Sequence, residues 1–414
     1  MKLSIIDACF PIGRQSSGLA ALWLHHYAAQ LGAVIVPPGE ADVCAVTCVD
    51  PRNGATCAQI RKRWPHLSIV AGGAGALSPY SIGLHADAVC VGNGERFIET
   101  LCRDGLSAAK KLPETWVHGE TRPVEIASGF PWTCPPIQAE DGSYRVWCGR
   151  GCKKRCAFCQ TGWAQVYEEN PDPSFLVDQI GALRRSGKRV AYLSNDPMQH
   201  SFFNRLPAVE HGSYSLDFIR RHGIPPARQI RLGVEGVSER LRRYVGKPVA
   251  HSDLVKATAW LNGLGKSVRW FMIAGLPGEN ASDWGELRTA VMDWKRICAK
   301  GVLALSFTAW QPEPATPLGI APVMDDYWAQ WEAFREWFFS GTGWSNRVKL
   351  MAPAAPKTRM ESAVARMGLT ESQLRIGGEW GPNNRVSYPH KLARDKAASR
   401  MADRRESTTQ EDGQ

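Results

Sequence analysis

The sequence predicts an α/β fold: an N-terminal doubly wound parallel sheet, then a full or partial (β/α) barrel, then a helical C-terminal extension. Over residues 1–105, short apolar runs rich in β-branched residues alternate with helical stretches, as in a parallel sheet covered by helices. A second alternating series starts at Tyr144. The length of 414 residues is too great for one ordinary core.

In the first unit, residues 1–105, the predicted strands are KLSIIDAC, AVIVPP, VCAVTCV, LSIVAGG and DAVCVG. The predicted helices are GLAALWLHHYAAQLG, GATCAQIRKRW and GERFIETLCRD. Residues 106–143 follow as a linker, because they are rich in proline and glycine.

In the second unit, residues 144–320, the predicted strands are RVAYLSND, QIRLGVEG, SVRWFMIAGLPG and VLALSFTAW. Helical stretches such as SFLVDQIGALRRSG, DLVKATAWLNGLG and WGELRTAVMDWKRICAKG separate them. This order indicates a barrel whose chemistry lies at the carboxyl ends of its strands. Residues 321–390, with the amphipathic YWAQWEAFREWFF, are predicted to be a helical extension, and the charged residues 391–414 a disordered tail.

The composition bears on partners and location. The formal charge of +10 suits a polyanionic partner such as nucleic acid, or ordinary solubility. The sixteen tryptophans are core residues or stacking faces for bases. No apolar run reaches the roughly 18 residues that span a bilayer, and MKLSIIDACF resembles a first strand more than a signal peptide. We therefore expect a cytoplasmic protein with no membrane contact, whose thiols stay reduced.

Three cysteines in the stretch VWCGRGCKKRCAFCQTGW, residues 146–163, form a C-x₃-C-x₂-C pattern: Cys152, Cys156 and Cys159. A structural zinc site usually takes two separated ligand pairs, and no second pair follows at that distance. An iron–sulfur cluster with three protein thiolates suits the pattern better, because one iron stays open for a substrate or cofactor. Cys148 is predicted to lie on the preceding strand; an all-cysteine cluster is the alternative if it joins.

The motif C-x₃-C-x-Φ-C, with Phe158 as its aromatic residue, resembles that of the radical S-adenosylmethionine (SAM) superfamily. The resemblance implies that Cys152, Cys156 and Cys159 hold a [4Fe–4S] cluster whose open iron chelates SAM, with Phe158 near the adenine. It also implies an electron donor such as flavodoxin or ferredoxin. The expected activity is reductive cleavage of SAM to a 5′-deoxyadenosyl radical that abstracts hydrogen from a carbon.

Further motifs of the second unit resemble the same family. In RLGVEGVSERLRRYVGKPVAHSDLVKA the resemblance places Glu235 and Ser238 near the SAM ribose or amino acid, and Arg240 near its carboxylate. The alternative for Glu235 is a carboxylate at a helix start, near the following amides. In FMIAGLPGE, Gly275 would permit close approach to the adenine. FTAWQPEPATPLG resembles the sixth-strand segment.

The turn after the second predicted barrel strand departs from the family pattern. Where the family often has a Gly-Gly-Glu-like turn that binds the methionyl amine, this chain has YLSNDPMQH. Asp196 is our predicted cofactor or substrate contact at that position. From the sequence we assign no catalytic residue besides the three cysteines that would bind the cluster.

The N-terminal unit resembles the cobalamin-binding-type domain that precedes many radical SAM barrels. On that resemblance Gly72–Gly73 and Gly92–Gly94 would let the backbone approach a flat ligand. The chain lacks an Asp-x-His-x-x-Gly motif for the cobalt, so two alternatives stay open: bound cobalamin, or a retained fold without it.

Methylthiotransferases, whose N-terminal domain holds a second cluster on three cysteines, are another relative to consider. Cys9 and Cys48 lie where two such cysteines would be, but no thiol follows the fourth strand in VAGGAGA. The other cysteines of this unit are predicted to be small core residues: Cys44, Cys57, Cys90 and Cys102.

Our leading hypothesis is a radical SAM enzyme that modifies a carbon of a nucleic-acid base or its attached side chain, in DNA hypermodification or tRNA modification. It depends on the +10 charge, on basic clusters at residues 61–63 and 240–243, and on the tryptophans. The alternatives are a cobalamin-dependent radical SAM methyltransferase acting on a small molecule or peptide, a methylthiotransferase-like tRNA enzyme, and a non-catalytic iron–sulfur protein that binds nucleic acid.

Overall fold

The structure is a computed structural model that describes residues 1–8, 18–49, 53–77, 79–132, 134–139, 141–206, 214–224, 227–310, 313, 316–318, 327–340 and 347–351. The predicted tail at 391–414, most of the predicted extension and Cys9 lie outside these residues.

The N-terminal part is a doubly wound sheet, as predicted. Its strands are β1 (Lys2–Asp7), β2 (Val34–Ile35), β3 (Val43–Thr47), β4 (Ser68–Gly72), β5 (Ala88–Cys90) and β6 (Thr115–Trp116). Their order is β2-β1-β3-β4-β5-β6, and only β6 is antiparallel to its neighbour. The helices are α1 (Leu19–Gln30), α2 (Gly54–Arg63), α3 (Pro79–Gly83), α4 (Glu95–Asp104) and α5 (Leu106–Ala109).

Every residue of the central strand β3 is buried, because the sheet has a core on each face. Val43 and Ala45 face the core that includes residues of α1 and α4. Cys44 and Val46 face the other core, with residues of α2 and α3. A strand covered on both sides needs a continuous apolar run, which is why VCAVTCV was recognisable in the sequence. Three of the four predicted core cysteines are buried in these two cores, Cys44, Cys57 and Cys90; Cys102 is partly buried against one of them.

The second part contains strands β7 (Ile137–Gln138), β8 (Tyr144–Trp147), β9 (Gly149–Arg150), β10 (Glu168–Glu169), β11 (Val190–Leu193), β12 (Gln229–Glu235), β13 (Ser267–Ala274), β14 (Leu303–Ala309) and β15 (Val348–Met351). Its helices are α6 (Thr161–Ala164), α7 (Pro173–Arg185), α8 (Leu216–His222), α9 (Glu239–Tyr244), α10 (His251–Gly263), α11 (Ala281–Ile297) and α12 (Tyr327–Ser340). β8 and β11 are parallel, and β12 to β15 form a second parallel sheet. This is the predicted (β/α) arrangement in partial form.

Three short strands lie where the sequence predicted other structure. β6 and β7 fall in the predicted linker, and they pair with β5 and β8. β15 falls in the predicted helical extension, yet it pairs in parallel with β14 and so continues the barrel sheet past residue 320. Strands of two to four residues show no measurable periodicity, so the sequence pattern could not reveal them.

Candidate functional site

The three motif cysteines lie on a loop between β9 and α6. Hydrogen bonds within the loop keep it compact: the amide of Cys156 donates to Lys154 O (2.9 Å) and that of Cys159 to Cys156 O (3.2 Å). The amide of Ala157 donates to Val245 O (3.0 Å), which joins the loop to the end of α9. A side chain at Gly162 would lie 2.6 Å from Lys154 O, so the chain after the loop packs too closely for any other residue.

The motif thiols share one electrostatic environment. The pKa of Cys156 is raised to about 11, mainly by burial; the Lys247 ammonium opposes this rise, and the thiols of Cys159 and Cys152 add to it. In the part of the chain that the structure describes, no three His, Cys, Asp or Glu side chains are placed to hold a single metal ion. A cubane cluster does not require this, because each thiolate binds a different iron. Three cysteines at this spacing suit a cluster that leaves one iron open.

Cys148 lies apart from this set. It is fully buried, in a core with Val146, Leu176 and Ile180, and its thiol points to Val146 O (3.6 Å). Burial raises its pKa to about 12. The sequence analysis placed it on the strand before the loop; in the structure it lies one residue beyond the end of β8.

Glu235, at the end of β12, has φ of +67°, the only positive φ at a non-glycine residue among the residues described. Such a conformation costs about 1–3 kcal/mol and persists only where surrounding contacts enforce it. Its carboxylate accepts a hydrogen bond from Lys247 Nζ at 2.5 Å. Glu235 thus has an ion-pair partner, while its two predicted roles, at SAM or near the following helix amides, stay predictions. Lys247 also lies 5.8 Å from the centre of the Phe158 ring, so Glu235, Phe158 and the cysteine loop converge.

Asp196 lies beside the cysteine loop, through contacts with Lys154 and Gln199. Its Oδ2 accepts hydrogen bonds from Gln199 Nε2 (2.8 Å) and forms an ion pair with Lys154 Nζ (2.8 Å). Gln199 Nε2 also lies 3.3 Å from Cys152 Sγ. The second oxygen of Asp196, Oδ1, is buried and has no hydrogen-bond partner within the described residues. A buried, unsatisfied carboxylate oxygen is costly unless a ligand donates to it.

The structure brings Ser238 and Arg240 to Asp283 instead of to the cysteine loop. Ser238 caps α9, accepting from Leu241 N (3.2 Å), and donates to Asp283 Oδ1 (2.5 Å). Arg240 donates to Asp283 Oδ2 (2.6 Å) and to Gly278 O (2.8 Å). Their predicted contacts with SAM stay predictions.

Gly275 ends β13 with φ of +82°, which permits the sharp turn expected of FMIAGLPGE. The turn is held by Glu279, a buried carboxylate that the sequence analysis did not single out. It accepts hydrogen bonds from Gly275 N (3.0 Å), Leu276 N (3.3 Å) and Trp284 Nε1 (2.9 Å). Burial raises the pKa of Glu279 to about 7.

A cavity of about 410 Å³ lies between the N-terminal sheet and the start of the barrel. One wall consists of residues at the carboxyl ends of β3, β4 and β5, among them Gly72, Gly73, Gly92 and Gly94. The other wall consists of residues on either side of the cysteine loop and after β11: Trp147, Gly149, Arg150, Ala164, Gln165 and Tyr192 to Asn195. The carboxyl edge of a doubly wound sheet is where ligands of this fold class bind.

At two of the glycines predicted to approach a ligand, packing within the chain itself explains why glycine is present. A Cβ at Gly73 would lie 2.6 Å from Cys48 O, and one at Gly92 would lie 2.6 Å from Ala127 N. Both also have positive φ. The chain's own packing therefore requires glycine at these two positions, whereas a Cβ at Gly94 would meet nothing within 4 Å.

Polar groups from both parts of the chain meet at the cavity. Glu95, at the start of α4, is buried and accepts from Trp23 Nε1 (3.0 Å) and Arg150 (3.0 Å). The Arg150 guanidinium lies 4.1 Å from the centre of the Phe130 ring. Trp147 Nε1 is buried and has no hydrogen-bond partner within the described residues. The cavity thus has a fixed charge pair and a free donor.

The methylthiotransferase alternative finds no support in this region. Cys48 is fully buried beneath Gly73, with its thiol directed to Val46 O (3.8 Å), and Cys9 lies outside the described residues.

This architecture is that of the cobalamin-dependent radical SAM enzymes. TsrM from Kitasatospora setae, a radical SAM methyltransferase solved with cobalamin and a [4Fe–4S] cluster, superposes with a TM-score of 0.56 at 14% identity, over 96% of this chain and 99% of TsrM. The same enzyme with tryptophan substrate and the SAM analog aza-SAM gives a TM-score of 0.50 at 14% identity, over 77% and 75%. OxsB, a cobalamin-dependent SAM radical enzyme solved with aqua-cobalamin and SAM, gives 0.54 at 14% identity, over 96% of this chain and 66% of OxsB.

At these identities the likeness shows the fold alone, which confirms the predicted pairing of a cobalamin-binding-type domain with a radical SAM barrel. Comparison with protein-family models and with curated proteins gave no match. Among the described residues, no helix is long and apolar enough to cross a membrane.

Several residues of this site were missed from the sequence: Lys247, Gln199, Glu95, Arg150, Trp147 and Glu279. Glu279 alone carried a local signal, since it ends the quoted FMIAGLPGE motif. Lys247, Gln199, Arg150 and Glu95 reach the site through contacts with residues 12 to 72 positions away in the chain, and no spacing rule links them.

Proposed function

We propose that the protein is a cobalamin-dependent radical SAM methyltransferase that acts on a small molecule or a peptide. The observation that carries the proposal is the cavity between the two sheets, whose second wall flanks the cysteine loop on both sides. The fold supports it, because TsrM and OxsB combine the same two units and were solved with cobalamin bound. The class of acceptor is inferred from the TsrM complex with tryptophan.

Cys152, Cys156 and Cys159 would hold the [4Fe–4S] cluster. When bound, the cluster and SAM supply reductive bond cleavage, and cobalamin supplies a methyl carrier. A thiol must lose its proton to bind iron. The Lys247 ammonium favours that loss at Cys156 by lowering its pKa against the effect of burial. An external donor such as flavodoxin or ferredoxin would deliver the electrons.

Asp196 and Glu235 would bind polar groups of SAM beside the loop. Asp196 Oδ1 is available to accept a hydrogen bond, which suits an ammonium group. Glu235 is held in its strained conformation by Lys247. Ser238 and Arg240 would position this region through Asp283, and Gly275 would leave room beside the adenine. Phe158 packs against the barrel core and would cover the adenine.

The interface cavity would hold cobalamin. The wall at the sheet edge contains Gly72, Gly73, Gly92 and Gly94, which would let a broad, flat ligand approach the backbone. On the other wall, Trp147 Nε1 would be a donor for an amide oxygen of such a ligand.

The test is a cofactor and turnover assay on the full chain. After expression with cobalamin uptake and anaerobic reconstitution, the protein should keep the corrin absorption bands through desalting. With SAM labelled in its methyl group and a reductant, label should pass to an acceptor from a panel of L-tryptophan, other aromatic amino acids and short peptides. A corrin-free spectrum under saturating supply would leave the N-terminal sheet as a scaffold and remove methyl transfer through cobalamin.

A further inference from the structure

A chain of hydrogen bonds leads from the interface cavity to the surface through side chains that the proposed function leaves unused. Ser194 lines the cavity directly after β11, and its Oγ lies 2.7 Å from His200 Nε2. His200 Nδ1 lies 2.9 Å from the Tyr167 hydroxyl. That hydroxyl lies 2.7 Å from Glu169 Oε1 and 3.0 Å from Gln199 O. The side chain of Glu169 is 21% exposed.

The direction of these bonds follows from which groups can only accept. Although burial raises it, hydrogen bonds from Ser201, Tyr167 and Lys153 hold the pKa of Glu169 at about 2, so it is an ionised acceptor. Of the three neighbours of the Tyr167 hydroxyl, the Glu169 carboxylate and the Gln199 carbonyl can only accept. The single hydroxyl proton of Tyr167 must therefore point to one of these two oxygens.

The tautomer of His200 is then fixed. Since the Tyr167 proton points away from the imidazole, Nδ1 must carry a hydrogen and donate it to the Tyr167 oxygen. In a neutral ring Nε2 is then unprotonated and accepts from the Ser194 hydroxyl. Burial lowers the pKa of His200, which keeps the ring neutral. The lone pairs of Ser194 Oγ are left for the cavity.

The ring is also held rigidly in this orientation. It stacks on Phe202 with the ring centres 5.3 Å apart and the planes 6° apart, and on Tyr167 at 5.8 Å and 27°. A Cβ at Gly149 would lie 2.1 Å from His200 Cε1, so glycine there is required by the imidazole. Gly149 is itself part of the cavity wall. The packing therefore preserves one contact geometry between His200 and Ser194.

We propose that Ser194 and His200 form the general base of the cavity, in which Ser194 takes a proton from the substrate as it passes its own to His200. The substrate's N–H, O–H or acidic C–H bond breaks, and its electron pair stays on the substrate atom. The new imidazolium donates through Nδ1 to Tyr167, which donates to the Glu169 carboxylate and so stabilises the charge. When the product leaves, water entering the cavity takes the proton back through Ser194. The substrate of this site therefore presents a proton donor beside Ser194.

This inference deepens the proposed function and depends on it for the identity of the reaction. Transfer of a methyl group to a nucleophilic atom that carries hydrogen releases one proton, and the base would accept it. Ser194 is the residue that would touch the substrate; His200, Tyr167 and Glu169 act through it.

The first test is the tautomer of His200 in the cofactor-free full chain labelled with ¹⁵N-histidine. Long-range proton–nitrogen spectra, assigned by loss of one ring signal in His200→Gln, should show a protonated Nδ1 and a bare Nε2. Tyr167→Phe keeps the stacked ring but removes the oxygen that accepts from Nδ1, so the hydrogen should move to Nε2. Ser201→Ala removes a donor to Glu169 outside the path and should leave the tautomer unchanged. A protonated Nε2 in the unchanged protein would overturn the proposal, because Ser194 would then donate into the cavity.

The second test asks whether the unprotonated Nε2 of His200 faces the cavity. Diethyl pyrocarbonate acylates unprotonated imidazole nitrogen, and mass spectrometry locates the product. His200 is 4% exposed and should resist the reagent in the unchanged protein and in Ser201→Ala. Ser194→Gly should make it react at least tenfold faster; a rate that stays unchanged would contradict the proposal. Both tests use the protein without cofactors, so they measure the Ser194–His200 contact by itself. Failure to cleave SAM after reconstitution would contradict the proposed function and leave these two results unaffected.

Discussion

Glu235 and Lys247 show how single residues shape the cysteine site. The carboxylate stands at a backbone angle that L-amino acids rarely adopt, and β12 shifts its register against β13 at this point, between Gly233 and Glu235. A bulge at the end of a strand re-aims a side chain. Here it turns Glu235 toward Lys247, and the ammonium of Lys247 in turn lies near Cys156 and Cys159.

At the motif cysteines we expect substitution to separate ligands from core residues. Cys152→Ala, Cys156→Ala and Cys159→Ala should each lose the cluster, because each removes the thiolate of one iron. Anaerobic reconstitution of the unchanged chain should give about four irons and four sulfides. Cys148→Ala is the matched control: its thiol lies in a separate core, so the cluster should form. Loss of iron in Cys148→Ala alone would mean that the ligand set is a different one.

Glu279 should make stability depend on pH. Its folded pKa of about 7 lies above the ordinary value of 4.5, and burial is the main cause. The folded state therefore binds the proton more tightly, so this stabilisation is present below about pH 4.5 and is lost as the pH rises to about 7. The free energy of unfolding falls by at most about 3 kcal/mol over this pH range. Thermal unfolding at pH 5.5 and pH 8 should show it, and Glu279→Gln, although less stable overall, should show a smaller difference.

Among the elements, α11 contacts the segment that follows β12. Its capping box joins Asn280 and Asp283, with Asp283 N donating to Asn280 Oδ1 and Asn280 N to Asp283 Oδ2 (2.9 Å). Asp283 also accepts from Ser238 and Arg240. The start of this helix therefore holds the segment after β12 as well as its own first turn.

Removing the cap should loosen that segment. Asn280→Ala should cost about 1 kcal/mol, because the amides of the first turn lose their acceptor. Amide hydrogen exchange should become faster both in the first turn of α11 and around Ser238. Asn280→Asp keeps an acceptor and should behave like the unchanged protein. Faster exchange confined to α11 would show that Asp283 holds Ser238 without the cap.

The sequence was informative for some elements and not for others, for physical reasons. β3 is buried throughout, and β1, β4, β13 and β14 are buried at most of their positions, so their apolar residues were visible as a pattern. β6 and β7 have two residues each, and pairing alone defines them. The cysteine loop was found because its ligands are adjacent in the chain. The Glu95–Arg150 pair and the Ser194–His200–Tyr167 contacts were not, since folding alone brings them together.

For the whole molecule, the pair of Glu95 and Arg150 connects the N-terminal sheet to the chain that carries the cysteines. Both side chains are largely buried, and they lie 55 residues apart in the chain. Arg150 also contacts the faces of Phe130 and Trp147. The relative position of the two cavity walls therefore depends on a charge pair with aromatic surroundings.

Breaking this pair should weaken both stability and cofactor binding. Glu95→Gln leaves the Arg150 guanidinium without its counter-charge and should cost about 3 kcal/mol. The double change Glu95→Leu with Arg150→Met should recover part of that loss, because no unpaired charge remains. Thermal unfolding and the affinity for aquacobalamin are the measurements. Arg103→Gln breaks an exposed pair on the same helix and should cost at most about 0.5 kcal/mol.

The net charge of +10 gives a test of the nucleic-acid hypothesis, which stays a prediction. A protein that neutralises backbone phosphates on duplex DNA loses affinity with salt, with a log–log slope of about −0.9 per contact. Anisotropy titrations with DNA and tRNA from about 50 to 300 mM salt measure that slope. If the proposed function holds, nucleic acid should acquire no labelled methyl group whatever the slope. A labelled methyl group in DNA or tRNA would contradict the proposed acceptor class and favour the hypothesis of nucleic-acid base modification.

The cavity between the sheets has a consequence for how the protein is made. One wall is complete once the chain has been synthesised through α4, but the other belongs to residues 147–195. Domains fold from the N-terminus as the ribosome releases them. The first sheet must therefore stand folded with its carboxyl edge uncovered while the rest of the chain is translated, and a ligand becomes enclosed only when the second wall docks. Under the proposed function, cofactor loading would therefore follow the docking of the second wall, and a shortage of the cofactor would leave finished but empty chains.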